Sequence, residues 1–331
     1  MQKTNDNLDD LFDEFYSIKV SEGKAESTLR QYRSNYSYFV AFLDKQNIAR
    51  SLNAINRRTI RDYIVYMRDE QVRFENHNFK ADYQKSVGLT PSSINTRLKT
   101  LRVMFNCLNE EMIISKNPMK GVKSLSEPND ELDILTVDEM RRLFKVPDRK
   151  YFAGFRDYVI MHVLTDSMMR IGELTQLKVN DFNFDNKTVI VRAKVAKSRK
   201  SRLIPLKPLT LRLVKELIKI NEEFQSDYVF LTNYGEPITR DLFRKNLDKY
   251  AEKAGINKNV HPHLFRHTAA TMFLEDGGEI RHLQMLLGHA DLRMVIRYTH
   301  LSNYALRKEH GKHSPINKVA AKMSRPRKNK L

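Results

Sequence analysis

Apolar residues recur at three- and four-residue steps through about the first 125 positions, and any fold of this chain must satisfy that rhythm. Leu8, Leu11, Phe12 and Phe15 form one helical stripe, and Leu29, Tyr32, Tyr36, Phe39, Val40 and Leu43 a second. Ile60, Ile64 and Met67 mark a third. Thr90-Pro91 supplies an N-cap and a first-turn proline for a fourth, on which Ile94, Leu98, Leu101, Phe105 and Leu108 keep the same spacing. Four amphipathic helices suffice for a bundle with its own core, assigned to residues 1–125. The polar stretch from Asp69 to Leu89 is long for a bundle connection and reads as a segment that contacts something outside it.

Asn117-Pro118 and the polar, Pro-containing stretch from Ser124 to Asp133 break the helical pattern, which sets a linker at 126–133. Thr136-Val-Asp-Glu139 is a capping box and opens a second domain, 134–311. Its pattern is helical to roughly Leu177. Thr188–Val191 and Leu203–Leu206 then read as strands flanking a very basic turn, after which helical patterns resume. The stretch 312–331 carries seven Lys/Arg and no acid, a flexible basic tail. The expected fold is mainly α with a small β-hairpin, and 331 residues accommodate two domains of ordinary size.

The 58 Lys+Arg against 40 Asp+Glu give a net charge of +18, which calls for a polyanionic partner, nucleic acid before a membrane surface. One cysteine, Cys107, forms no intrachain disulfide and fits a reducing, cytoplasmic setting. No apolar run approaches the ~20 residues that span a bilayer. Neither a P-loop nor a G-x-G-x-x-G string occurs, so nucleotide cradles have no sequence signal. His261, His263 and His267 cluster, yet no Glu or Cys completes a standard zinc set, and no metal or other cofactor is expected.

The remaining chemistry gathers around one tyrosine. His263 and Arg266 stand three residues apart on one helix, with Pro262 in its first turn. Gly288 closes the next helix and leaves His289 in the turn beyond it. Tyr298 follows nine residues later, on a short element that Asp291 can cap. Any single one of the 14 tyrosines is by itself best read as a packing residue.

The strings that carry these residues resemble those of the tyrosine recombinase (phage integrase, Xer-like) family. His263-Leu-Phe-Arg266-His267-Thr-Ala-Ala-Thr271 is similar to that family's H-x-L-R-H-T-x-A-T box. Leu283-Gln-Met-Leu-Leu-Gly-His289, with Val295-Ile-Arg-Tyr298-Thr-His300 beyond, resembles its L-Q-x-x-L-G-H…T-x-x-Y-x-H box, and Met169-Arg170-Ile-Gly-Glu173-Leu its first-arginine motif. The resemblance implies that Tyr298 attacks a DNA phosphate to give a 3′-phosphotyrosyl link. It implies that Arg170 and Arg266 clamp the non-bridging oxygens, that His263 takes the tyrosine proton or holds the phosphate, and that His289 donates to a phosphoryl oxygen. Metal and ATP are then not needed. A lysine on the hairpin would protonate the leaving 5′-oxygen. Counting back from Pro205 favours Lys197 and counting forward from Arg170 favours Lys194; Lys197 is preferred, because length changes fall between strands more readily than beside a proline. The sequence departs from the family at Met168, where glycine is usual: if φ is positive there, methionine costs about 1 kcal/mol. Glu173 is expected to orient basic neighbours rather than act as a base.

By the same resemblance, a helical core-binding domain and a mixed α/β catalytic domain enclose double-stranded DNA. Arg57, Arg58, Arg61, Arg97, Lys99 and Arg102 of the first domain and Lys194, Arg199, Lys200 and Arg202 of the hairpin are the candidate DNA contacts. The first stripe starts so near Met1 that simple core sites, with no arm-binding domain, are expected. Family members work as tetramers on two duplexes through a Holliday junction, in some cases with a directionality factor; here the segment from about Asn303 to Val319 would dock on a neighbouring protomer. Integration or excision of a mobile element is the expected outcome. A type IB topoisomerase-like monomer and a catalytically silent DNA-binding accessory protein are the alternatives.

Overall fold

Asn7 starts the first helix, α1 (Leu8–Ser21), its side-chain oxygen accepting from the amides of Asp9 and Asp10. The other predicted stripes of this region also become helices where the sequence is punctuated: α2 (Glu26–Lys45), α3 (Arg57–Asp69) behind a capping box of Asn56 with Thr59, and α4 (Pro91–Glu110) behind Thr90. The computed structural model describes residues 6–72, 86–127, 133–196, 199–288, 310, 314 and 316. The chain divides into two units, 1–129 and 130–331.

The stripes of the first unit meet in an aromatic core. Phe15, Phe39, Phe42, Tyr63 and Phe105 are all fully buried, with the Phe39 and Tyr63 rings edge to face at 5.0 Å. The buried Asn35 donates to Thr100 Oγ1 at 2.8 Å, which fixes α2 against α4 and leaves neither polar group unsatisfied. Where the long polar stretch leaves the bundle, Val72 and Val87 pair antiparallel and the Gly88 amide donates to Gln71 O. Gly88 has φ +84°, and a Cβ there would lie 2.3 Å from Arg68 O, so only glycine fits. Residues 73–85, the rest of that stretch, lie outside the described residues.

In the second unit the Thr136–Glu139 capping box opens α5 (Val137–Phe144) as the sequence indicated. Helical pattern to Leu177 is not one run, however: it breaks after Phe144, at Val146-Pro147-Asp148, where proline has no amide to give. It resumes as α6 (Phe152–Ser167) and the single turn α7 (Ile171–Leu174). Helix α6 has no exposed residue, because it runs through the middle of the unit with Val159, Ile160, Met161, Val163 and Leu164 fully buried and the stripe of Tyr158, His162, Thr165 and Asp166 partly accessible. Its buried Arg156 and Asp157 form an ion pair at 2.8 Å; Arg156 also donates to Leu231 O, and Asp157 accepts from Asn246 and Tyr250.

The sheet is antiparallel in the order β1 (Phe182–Asn183), β2 (Thr188–Val191), β3 (Arg202–Pro205). Strand β2 falls on the residues read from sequence. Strand β3 begins one residue before the expected Leu203, because Arg202 pairs with Val191 and the Leu206 amide turns away to Lys187 O. Strand β1, two residues long, is too short to show a period. Among the described residues four α-helices follow the sheet: α8 (Pro208–Ile220), α9 (Arg240–Lys253), α10 (Pro262–Glu275) and α11 (Ile280–Leu287). Gly288 caps α11 in the left-handed region, φ 61°, as its place in the sequence required.

Phe39→Ala is expected to destabilise the first unit by about 3–5 kcal/mol, since it empties a fully buried aromatic site. Calorimetry of the full chain should show one transition moving down in temperature while that of the second unit keeps its midpoint.

Candidate active site

The site is built on the turn that ends α6. Ser167 Oγ donates to Val163 O and accepts from the Met169 amide at 3.2 Å, which bends the chain out of the helix. Met168 then adopts φ 53°, ψ 21°, the left-handed conformation that favours glycine. Strain of about 1 kcal/mol is offset because the side chain is 6% exposed, and burying a methionine stabilises by roughly 1.5–3 kcal/mol. The chain emerges as Arg170, which begins α7 with its own amide donating to Glu173 Oε2 at 3.0 Å.

From there hydrogen bonds close a circuit through all three of the sequence boxes. Arg170 Nη1 donates to Glu173 Oε1 at 3.2 Å. On its other side Glu173 receives Arg202, Nη1 at 3.2 Å and Nη2 at 2.6 Å. Arg202 Nε donates to Leu286 O at 3.0 Å, at the end of α11. The next carbonyl, Leu287 O, accepts from Arg266 Nη2 at 2.7 Å, and Arg266 Nη1 returns to Met168 O at 2.7 Å. Arginines from a turn, a strand and a helix are thus locked to one buried carboxylate and three carbonyls. Gly288 sits against this circuit: a Cβ there would lie 3.0 Å from the Arg202 side chain.

Glu173 is 2% exposed. Burial pushes its carboxyl up, but the Arg202 hydrogen bond and charge, then the Arg170 amide and charge, outweigh burial and hold it below the ordinary glutamate value. Glutamate therefore stays ionised and keeps the two guanidinia in place, the orienting role read from sequence.

At the head of α10, His261 is the N-cap, its Nδ1 accepting from the Leu264 amide at 3.1 Å. Burial, then the charge of Arg244, lower its pKa, so the ring stays neutral and able to accept. The cap places His263 on the exposed first turn, while Arg266 one turn on faces inward at 3% exposure. Of the hairpin candidates, Lys194, Arg199 and Lys200 are exposed. Arg202 differs from the expectation of a DNA contact: its guanidinium is directed into the unit, on Glu173 and Leu286 O, because a buried carboxylate needs it there. Lys197, His289 and Tyr298 lie outside the described residues.

In the first unit Arg57, Arg58, Arg61 and Lys99 are exposed, as a DNA-contacting face requires. Arg97 and Arg102 are half-buried with local partners instead. Arg97 stacks on the Tyr38 ring at 3.7 Å and donates to Gln71 Oε1, and Arg102 donates to Val122 O at 3.2 Å. Lys99 and Arg102 line a cavity of about 720 Å³ with Asn95, Thr96 and Ser124.

Two family models match the chain: the phage integrase SAM-like domain over residues 7–125 and the phage integrase family over residues 133–304. Among curated relatives, the chain is 26% identical over 307 residues to tyrosine recombinase XerD of Listeria innocua, covering 91% of this chain and 97% of that one. It is 27% identical over 316 residues to tyrosine recombinase XerC of Bacillus subtilis, covering 93% and 96%. Among solved structures, the fold is similar to that of the Tn1549 transposon integrase in complex with a circular intermediate DNA, with TM-score 0.71, 18% identity and coverage of 93% of this chain and 100% of that one. A second similar fold is XerH site-specific recombinase bound to palindromic difH substrate, with TM-score 0.68, 20% identity and coverage of 88% and 82%.

Replacing Glu173 by Gln leaves two guanidinia without their counter-charge and is expected to cost about 3–5 kcal/mol at pH 7. A carboxyl held below its ordinary value of 4.5 contributes its full stability above that pH and loses it as the pH falls through its lower folded value. Denaturant melts of the two proteins should therefore differ by the full amount from pH 7 to about 5 and converge only in stronger acid.

Proposed function

The chain belongs to the phage integrase family, the tyrosine recombinases, and from that premise we propose that it is a cytoplasmic site-specific DNA recombinase that integrates or excises a mobile element. The observation that carries this reading is the closed circuit of Arg170, Glu173, Arg202 and Arg266, which ties the three sequence boxes together beside Gly288. A phosphate-transfer site needs fixed cationic donors, and fixed donors are those whose positions other bonds have already decided.

In the proposed reaction Tyr298 Oη attacks the scissile phosphorus. A bond forms from Oη to phosphorus, the bond from phosphorus to the 5′-oxygen breaks, and a 3′-phosphotyrosyl link results. His263 takes the tyrosine proton or holds the phosphate, and Lys197, with Lys194 as the alternative, gives a proton to the leaving 5′-oxygen. Arg170, Arg266 and His289 stabilise the charge that develops on the non-bridging oxygens. The phosphotyrosine conserves the bond energy, so a 5′-hydroxyl from the partner duplex reverses the step without metal or ATP and yields a Holliday junction.

Double-stranded DNA is the proposed partner, met by the exposed Arg57, Arg58, Arg61 and Lys99 of the first unit and by Lys194, Arg199 and Lys200 of the hairpin. The synaptic complex is proposed to be a tetramer in which the segment from about Asn303 to Val319 docks on a neighbour. An apolar groove of about 1,070 Å³, walled in part by Val137, Phe144, Leu209 and Phe273, supports that assembly. The +18 charge, the long 69–89 stretch and the basic tail favour a mobile element's enzyme over a housekeeping one. A directionality factor fits the same role.

Incubated without metal with nicked duplexes from the DNA flanking its gene, the protein should give a DNA-linked band on a denaturing gel. Tyr298→Phe should abolish that band and Tyr304→Phe should keep it. Specific binding with no covalent band would point to a silent accessory protein, and relaxation of supercoils carrying a single site to a topoisomerase. If about eight phosphates are neutralised per protomer, affinity measured from 50 to 200 mM salt should fall roughly as the seventh power of salt concentration.

A further inference from the structure

Met168 stands where the resembled motif has glycine, in a conformation glycine adopts more easily, and its side chain is buried rather than tolerated. It packs in one cluster with Ala269 and Ala270 of α10 and Leu283 and Leu287 of α11, and among the described residues it is the cluster's one member from outside those two helices. Its backbone carbonyl takes Arg266 Nη1, and its side chain lies in the same cluster as Leu287, whose carbonyl takes Arg266 Nη2. One residue thereby supplies one acceptor of the Arg266 guanidinium from its backbone and shares a packed cluster with the residue that supplies the other.

We propose that Met168 is a positioning residue: its side chain is the spacer that holds the end of α11 at the distance one guanidinium can bridge from the Arg170 turn, and so sets Arg170, Arg266 and the Gly288 turn relative to one another. The part of this that concerns catalysis rests on the recombinase reading; the part that concerns spacing does not.

A backbone role and a side-chain role predict opposite results for Met168→Gly, since glycine relieves the strain of a positive φ and removes the spacer. Met168→Leu restores apolar volume at the same backbone cost. With saturating nicked DNA in a single turnover, Met168→Gly should form the covalent complex about tenfold more slowly with an unchanged Kd for DNA, and Met168→Leu should recover most of that rate. Hydrogen exchange on the free protein should show faster exchange for Met169–Leu174 and Ile280–Gly288 in Met168→Gly, with α8 unchanged and Met168→Leu restored. Wild-type cleavage and exchange in Met168→Gly overturn the proposal. So do equal losses in the glycine and leucine variants, and so does an equal gain of exchange in α8, which would mark plain core packing. If the wild-type protein forms no covalent complex, the recombinase reading fails and the exchange pattern alone decides whether Met168 is the spacer.

Discussion

A carboxylate that is 2% exposed stays ionised only when cations replace the water it has lost, and Glu173 has two of them, Arg202 and Arg170. The arrangement of the Arg170 turn, β3 and the end of α11 follows from satisfying that one charge. Arg202 reaches Glu173 only if β3 lies beside α7, and its third nitrogen then holds Leu286 O, which brings the end of α11 to the same place. Arg170 reaches it only if the chain leaves α6 through the left-handed turn at Met168. The carboxylate decides where the Arg170 and Arg202 guanidinia stand.

Around that charge the unit is stiff for ordinary reasons. Helix α6 is buried on nearly all sides, so the turn at its end has little freedom to shift. The Arg156–Asp157 pair ties the same helix to α9 and to the loop at Leu231, with every group of the pair engaged by a partner. Preorganisation of this kind matters most where a reaction develops charge, because donors that need not move cost no reorganisation energy at that moment.

Much of the fold was legible in the sequence because it is written in local signals. Thr90 and Thr136 start helices through their own side chains, and Gly288 ends one through its own backbone. Thr188–Val191 is a strand on β-branched residues alone. What was not legible depends on partners distant in sequence. Arg202 looked like one more cation in a basic turn, and nothing within ten residues of it reveals that Glu173 claims its guanidinium. Arg97 looked like a surface cation until Tyr38 and Gln71, 59 and 26 residues away, were placed beside it. Met168 was visible as a departure, but the use of its side chain required α10 and α11 in position.

The contact between Gly288 and Arg202 bears on how such a chain can drift in sequence. Any side chain at 288 pushes on Arg202, a displaced Arg202 strips Glu173 of a counter-charge, and a neutral residue at 173 leaves Arg202 with the Leu286 carbonyl but no counter-charge. Positions 173, 202 and 288 are therefore epistatic: their substitutions are non-additive, and each single change meets the full cost that a combined change could relieve. Three residues spread over more than a hundred positions are thus coupled in space, so a substitution at one of them is best tolerated where the other two already accommodate it.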